Sequence, residues 1–195
     1  MTGLTWVTAA LCAATLSLVA CQTSRSVDRS QLAGIALADR TYAVEAADWG
    51  ISPRGTLLVG RYHARTPTAV PGARTVATAD LLRLLTTDPS VVLVDVLGVA
   101  AHPGLPQSVW LVDAGLGKGF DEPLQVKLGG RLAQLTAGDR QRSIVFYCLL
   151  AECWLSYNAS LRAVALGYRS VLWCRGGIGA WRAAGLPMTP AIGSW

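Results

Sequence analysis

The stretch Ser143-Ile144-Val145-Phe146-Tyr147-Cys148-Leu149-Leu150-Ala151-Glu152-Cys153-Trp154-Leu155 decides how the chain is read. A short, continuous apolar run, 143 to 147, is the mark of a strand buried on both faces of a parallel sheet. It runs straight into Cys148. Leu155, Ala159, Ala163 and Leu166 then recur at helical spacing, and Gly167 supplies a left-handed stop. A strand joined to a helix by so short a loop places Cys148 at the carboxyl end of a strand, where open α/β sheets keep their chemistry. Backbone N–H groups and a helix N-terminus near a thiol lower its pKa and stabilise an anion.

The same reading extends outward. Val91-Val92-Leu93-Val94 ending in Asp95, and Ser170-Val171-Leu172-Trp173 leading to Cys174, are further buried strands, and Val109 to Val112 reads as another. Residues 78 to 87 form a helix with Thr78 as its cap and Asp80 in the first turn. Leu124, Leu128, Leu132 and Leu135 give an apolar face to a helix over 122 to 136, although Gly129-Gly130 costs about 1 kcal/mol per glycine there. A last short helix runs through Trp181 to a stop at Gly185. Thr56-Leu57-Leu58-Val59 reads as a short strand. Strand and helix alternating in this order predict an α/β domain with a mostly parallel central sheet.

Composition bounds the function. The chain has 195 residues, 52% hydrophobic and 15% charged, which excludes a disordered protein. Seventeen Lys and Arg against twelve Asp and Glu give +5, but the basic residues are scattered singly, so no nucleic-acid partner is expected. Residues 1–20 carry no charged side chain and fourteen of them are apolar, which reads as an export segment. Leu18-Val19-Ala20-Cys21 resembles the lipobox of bacterial lipoproteins. It implies a signal peptide over 1–20, lipidation of Cys21, and a periplasmic protein anchored to a membrane, the outer rather than the inner one because Gln22 follows the cysteine. An uncleaved anchor and an ordinary secretory signal stay open. Residues 21–40 then read as the lipidated cysteine and a flexible tether, 41–75 as an N-terminal extension packing on the domain, and 76–190 as the domain.

The helix at 78 to 87, the strand ending in Asp95, the entry Leu105-Pro106-Gln107-Ser108-Val109-Trp110, the strand ending in Cys148 and the closing Arg175-Gly176-Gly177-Ile178-Gly179-Ala180-Trp181 with Gly185-Leu186-Pro187 together resemble the rhodanese domain. More narrowly, Tyr147-Cys148…Cys153-Trp154-Leu155-Ser156-Tyr157-Asn158-Ala159, with Arg65-Thr66-Pro67…Val70-Pro71-Gly72 upstream, is similar to periplasmic rhodanese-like proteins with a Cys…Cys-Trp motif associated with PQQ-dependent alcohol catabolism. The resemblance implies a three-layer rhodanese-like fold. It also implies a sulfurtransferase-type Cys148 that carries sulfane sulfur as a persulfide on the amides of Leu149, Leu150, Ala151 and Glu152, with no other cofactor.

The loop departs from thiosulfate-using rhodaneses. Where these carry a basic residue to hold a sulfur oxyanion, this loop has Glu152, whose charge repels thiosulfate and raises a neighbouring thiol's pKa, so weak thiosulfate activity is expected. Asp95 lacks the Arg that often follows it. The second thiol, Cys153, is close enough in such a loop to pair with Cys148 in an oxidising compartment, and Cys174 is a third thiol at the same sheet edge or a buried small hydrophobe. His63 and His102 have no ligand spacing, and no metal site is expected. Trp154 and Trp173 wall the thiols or pack the core. Expected partners are the membrane, a small sulfur donor or thiol acceptor, and a periplasmic quinoprotein dehydrogenase or c-type cytochrome. Two other readings stand beside the sulfur carrier: a thiol-disulfide redox accessory protein, and a binding module in which Cys148 and Cys153 form a structural disulfide.

Overall fold

The structure, a computed structural model, describes residues 28–38, 40–193 and 195. The export segment, Cys21 and the first part of the tether lie outside the described residues. Among the described residues there are eight strands: β1 (Arg74–Val76), β2 (Val92–Asp95), β3 (Pro103–Gly104), β4 (Val109–Trp110), β5 (Ile144–Tyr147), β6 (Val171–Cys174), β7 (Thr189–Pro190) and β8 (Ile192–Gly193). The helices are α1 (Thr78–Thr87), α2 (Pro123–Thr136), α3 (Trp154–Ala165) and α4 (Gly177–Ala183).

Six strands form one sheet in the order β1-β6-β5-β2-β4-β8, every neighbouring pair parallel. β3 and β7 form a small antiparallel pair beside it. β5 and β6 lie inside the sheet and are buried along their whole length, which accounts for their unbroken apolar runs. Right-handed crossovers settle the layers. The connections through α1 and α4 travel along the sheet in one direction and those through α2 and α3 in the other, so the two pairs take opposite faces, and each pair is in mutual contact. The domain is therefore a three-layer α/β fold.

Four local readings are corrected. Thr78 is the first helical residue rather than a cap: its N–H and hydroxyl both donate to Glu45 Oε2, at 2.8 and 2.6 Å, so an acid 33 positions upstream caps α1. Residues 56 to 59 form no strand. The amide and carbonyl of Leu58 bond the Asn158 side chain instead, at 3.0 and 2.9 Å, which satisfies the backbone without a ladder. The buried stripe of α2 is Gln125, Leu128, Leu132 and Thr136, rotated from the leucine face because Gln125 serves the buried Arg162. The Asp28–Leu32 part of the expected tether packs on the domain: a 3-10 turn over Arg29–Leu32 buries Leu32 completely, and Arg29 donates to the Val91 carbonyl at 3.1 Å.

α3 is buried from Trp154 to Ala163. One face meets the sheet. The other is covered by the segment upstream of β1: Leu57 and Val70 join Trp154, Tyr157, Leu161 and Trp173 in a second core cluster, and the Tyr157 hydroxyl both donates to the Arg54 carbonyl and accepts from its amide. This cover brings Tyr62, Arg65 and Thr66 against the loop that carries the cysteines.

Candidate functional site: a disulfide loop at the sheet edge

Cys148 follows the last residue of β5, and Cys153 is the N-cap residue of α3. The structure joins them in a disulfide with a Cα–Cα distance of 6.2 Å. Both are 1% exposed, whereas Leu149 and Leu150, at the outer turn of the loop, are 38% exposed. Neighbouring elements grip the loop from two sides. On one side the amides of Ile178 and Gly179 in α4 donate to the carbonyls of Cys148 (3.0 Å) and Leu149 (2.8 Å). This close approach needs Gly177, whose φ of +54° is left-handed and whose missing Cβ would fall on the Cys148 carbonyl oxygen.

On the other side the upstream segment holds the loop. The Thr66 hydroxyl donates to the Ala151 carbonyl at 2.6 Å, the Trp154 amide donates to the Tyr62 carbonyl at 2.7 Å, and the Trp154 indole donates to the Arg65 carbonyl at 3.0 Å. Trp154 thus pins the loop to the extension. Trp173 is fully buried against Tyr157 and the Ser156 hydroxyl, within the core.

The backbone N–H groups of Leu149, Leu150, Ala151 and Glu152 find no backbone acceptor among the described residues, and residues 151 and 152 form a turn that leads into Cys153. They are strung along a segment whose ends are tied together, so they are the donors available to an anion held within the loop. Glu152 adds a carboxylate whose Oε2 is buried and unpartnered among the described residues. It faces Arg175, as does Asp48; burial lowers the Arg175 pKa and these two acids push it back up. Arg175 is itself fixed by the Thr66 hydroxyl (3.0 Å), the Thr66 carbonyl (3.0 Å), the Glu45 carbonyl (2.8 Å) and the Trp49 ring (4.6 Å). Arg175 and Thr66 sit inside the stretches that carry the family resemblance, yet nothing local in the sequence links them across 109 positions.

Cys174 lies beside Tyr147 in the sheet register and forms no disulfide. Burial raises its thiol pKa to about 12, with Glu45 adding to the rise and the Gly177 amide opposing it. A thiol held neutral in this way is a poor nucleophile. We expect Cys174 in the folded protein to resist iodoacetamide at pH 8 and to be alkylated once urea unfolds the chain. Ready alkylation of the native protein would contradict this burial.

Asp95 does not stand alone. Its Oδ2 lies 2.9 Å from His102 Nε2, and its Oδ1 accepts from the Leu97 amide at 2.9 Å. His102, which shows no ligand spacing in the sequence, thus supplies the partner that the missing Arg leaves vacant. Beside them the Tyr147 hydroxyl donates to Ser108 Oγ (2.7 Å) and accepts from the Leu105 amide (3.1 Å). Gly104 makes room for this cluster: a Cβ there would lie 2.8 Å from the Tyr147 hydroxyl. His63 is exposed and outside the loop.

No family model and no curated protein matches the sequence. Among solved structures, the chain is similar to a Rhodopseudomonas palustris protein of unknown function described as a possible tyrosine phosphatase. The identity is 24%, the alignment covers 60% of this chain and 84% of that one, and the TM-score is 0.42. It is also similar to the polysulfide-sulfur transferase homodimer of Wolinella succinogenes, at 16% identity over 63% of this chain and 80% of that one, again with a TM-score of 0.42.

Proposed function

We propose that the 148–153 loop is the sulfur-handling site of a rhodanese-like protein, with Cys148 the sulfur carrier and Cys153 its resolving thiol. One observation carries this reading: two cysteines close a loop at the carboxyl edge of the sheet, and four consecutive amides of that loop are left without backbone acceptors among the described residues. Opened by a dithiol, the loop presents the Cys148 thiolate to those donors. The thiolate attacks the outer sulfur of a hydropersulfide or polysulfide donor, the donor's thiolate leaves, and Cys148 becomes a persulfide. An acceptor thiolate then takes the outer sulfur and restores the Cys148 thiolate. Without an acceptor, the Cys153 thiolate attacks the Cys148 sulfur, expels hydrosulfide and reforms the disulfide.

Glu152 sets the donor class. A carboxylate in the loop works against a doubly charged oxyanion such as thiosulfate and leaves singly charged or neutral sulfur donors as the better substrates. Export, lipidation of Cys21, outer-membrane anchoring and service to a periplasmic quinoprotein dehydrogenase or c-type cytochrome are parts of the proposal that rest on sequence resemblance alone.

A second reading, thiol-disulfide exchange without sulfane sulfur, is favoured by the disulfide itself, which is the state the structure holds. Intact mass spectrometry separates the two. The reduced protein, freed of reductant and treated with polysulfide, is expected to gain the mass of one sulfur atom, and Cys148→Ser is expected to lose that gain. Cycling between dithiol and disulfide with no sulfur adduct would leave the second reading standing. A disulfide that no reductant opens in the folded protein would make it structural.

A further inference from the structure

The disulfide is buried, so whatever opens it must first engage the surface around it. From Ile51 to Thr75 the chain carries Arg54, Arg61, His63, Arg65 and Arg74 and no acidic residue. Arg54, Arg61 and Arg65 are exposed. Two of them border Trp154, the residue after Cys153: the Arg54 guanidinium lies 5.9 Å from its ring centre, and the Arg65 carbonyl accepts its indole N–H. Arg61 precedes Tyr62, whose carbonyl accepts the Trp154 amide. The Arg65 guanidinium sits 5.6 Å from the Trp49 ring, which also stacks on Arg175. The acids of this region, Asp48 and Glu152, face Arg175, which leaves the three exposed arginines without an acid on their own segment. At the loop itself the exposed side chains are apolar, Leu149 and Leu150.

We propose that this surface, a leucine tip beside a fringe of arginines, docks an acidic segment of a partner protein that carries a reactive dithiol, and that this partner reduces Cys148–Cys153. The proposal rests on the reading of the loop as a sulfur-handling site. A partner thiolate attacks one sulfur of the disulfide, giving a mixed disulfide and one free thiolate. The partner's second thiol resolves it, so that two electrons and two protons pass to Cys148 and Cys153 and the partner leaves oxidised. A lipid surface would satisfy the arginines but has no chemistry for the disulfide beneath the leucines. Complementary charge of this kind acts on encounter rate and specificity, and salt screens it.

The test uses the full chain and two peptides sharing one Cys-x-x-Cys core, one flanked by glutamates and one by lysines. Reduction of the disulfide is followed by alkylation and intact mass. The glutamate peptide is expected to react about tenfold faster at low ionic strength, with the gap closing at high salt. The double variant Arg54→Glu, Arg65→Glu is expected to reverse the preference between the two peptides. Equal peptide rates, or a faster lysine peptide, on the wild-type protein would overturn the docking proposal whether or not the variant folds. Adsorption to phosphatidylglycerol vesicles without a peptide preference would assign the fringe to lipid and overturn it too. Failure of dithiothreitol itself to open the folded protein would instead sink the sulfur-handling reading.

Discussion

Gly177→Ala is expected to destabilise the protein by about 3 kcal/mol and to loosen the disulfide loop. Gly177 has a φ of +54°, a region that costs an alanine about 1 kcal/mol. Its added methyl would meet the Cys148 carbonyl oxygen, with the Leu149 carbonyl carbon 3.2 Å away. These are backbone atoms and cannot swing aside. The two loop carbonyls at this contact accept the Ile178 and Gly179 amides, so separating α4 from the loop also forfeits two hydrogen bonds worth about 1 kcal/mol each. Gly185→Ala is the control: its φ is +70°, but nothing lies within 4 Å of the added Cβ, so only the conformational cost of about 1 kcal/mol applies. Urea unfolding of both variants measures the difference. The rate at which dithiothreitol opens the disulfide should rise in Gly177→Ala and stay unchanged in Gly185→Ala. Equal stabilities would mean that α4 does not approach the loop as closely as described.

Arg162→Met is expected to cost a similar amount, about 3 kcal/mol, because it removes one member of a buried charged cluster. The Arg162 side chain is wholly buried. Its guanidinium donates to the Gly119 carbonyl (2.9 Å), Gln125 Oε1 (2.9 Å), the Leu116 carbonyl and Glu122 Oε1, tying the 113–122 loop and α2 to α3. Methionine fills the volume but leaves these acceptors unpaired. Lysine keeps the charge but cannot span all four, so Arg162→Lys is expected to recover only part of the loss.

The same cluster sets a pH dependence. Burial acts to raise the Glu122 pKa, but the Lys118 amide, Arg162 and the Gly119 amide together outweigh it and hold the carboxyl below its ordinary value. The unfolded chain therefore takes up this proton more readily than the folded one. The stability from the pair is complete above the ordinary glutamate pKa and is lost as the pH falls through the lowered one. Urea midpoints across the acid range should show this loss in the wild type and a flatter profile in Arg162→Met. An unchanged acid profile in the variant would show that Glu122 does not draw its stabilisation from Arg162.

Which parts of this were legible in the sequence follows from the range of the interactions. β5, β6 and α3 announce themselves because strand burial and helix amphipathicity repeat every few residues. β1 leaves no signal in the sequence because Arg74, Thr75 and Val76 are too few to show a period, and it exists only through its register with β6. The expected strand at 56 to 59 has the composition of one, but its backbone groups found Asn158, 100 positions away.

The site divides along the same line. Cys148, Cys153 and the amides between them are close in sequence, so a strand-loop-helix pattern suffices to mark them. The Glu45 cap, the Thr66 and Arg175 brace, the His102 partner of Asp95 and the arginine fringe beside the loop all depend on how segments meet. By itself the sequence determined an alternating α/β order and a cysteine loop at a strand's end. Only the tertiary structure decided that Cys148 and Cys153 are joined and buried, that Cys174 is held neutral, and that Arg54 and Arg65, single basic residues in the sequence, come together at Trp154 beside the loop. Local periodicity is set by neighbouring residues, whereas burial and pairing are set by whichever distant groups satisfy one another's hydrogen bonds and charges.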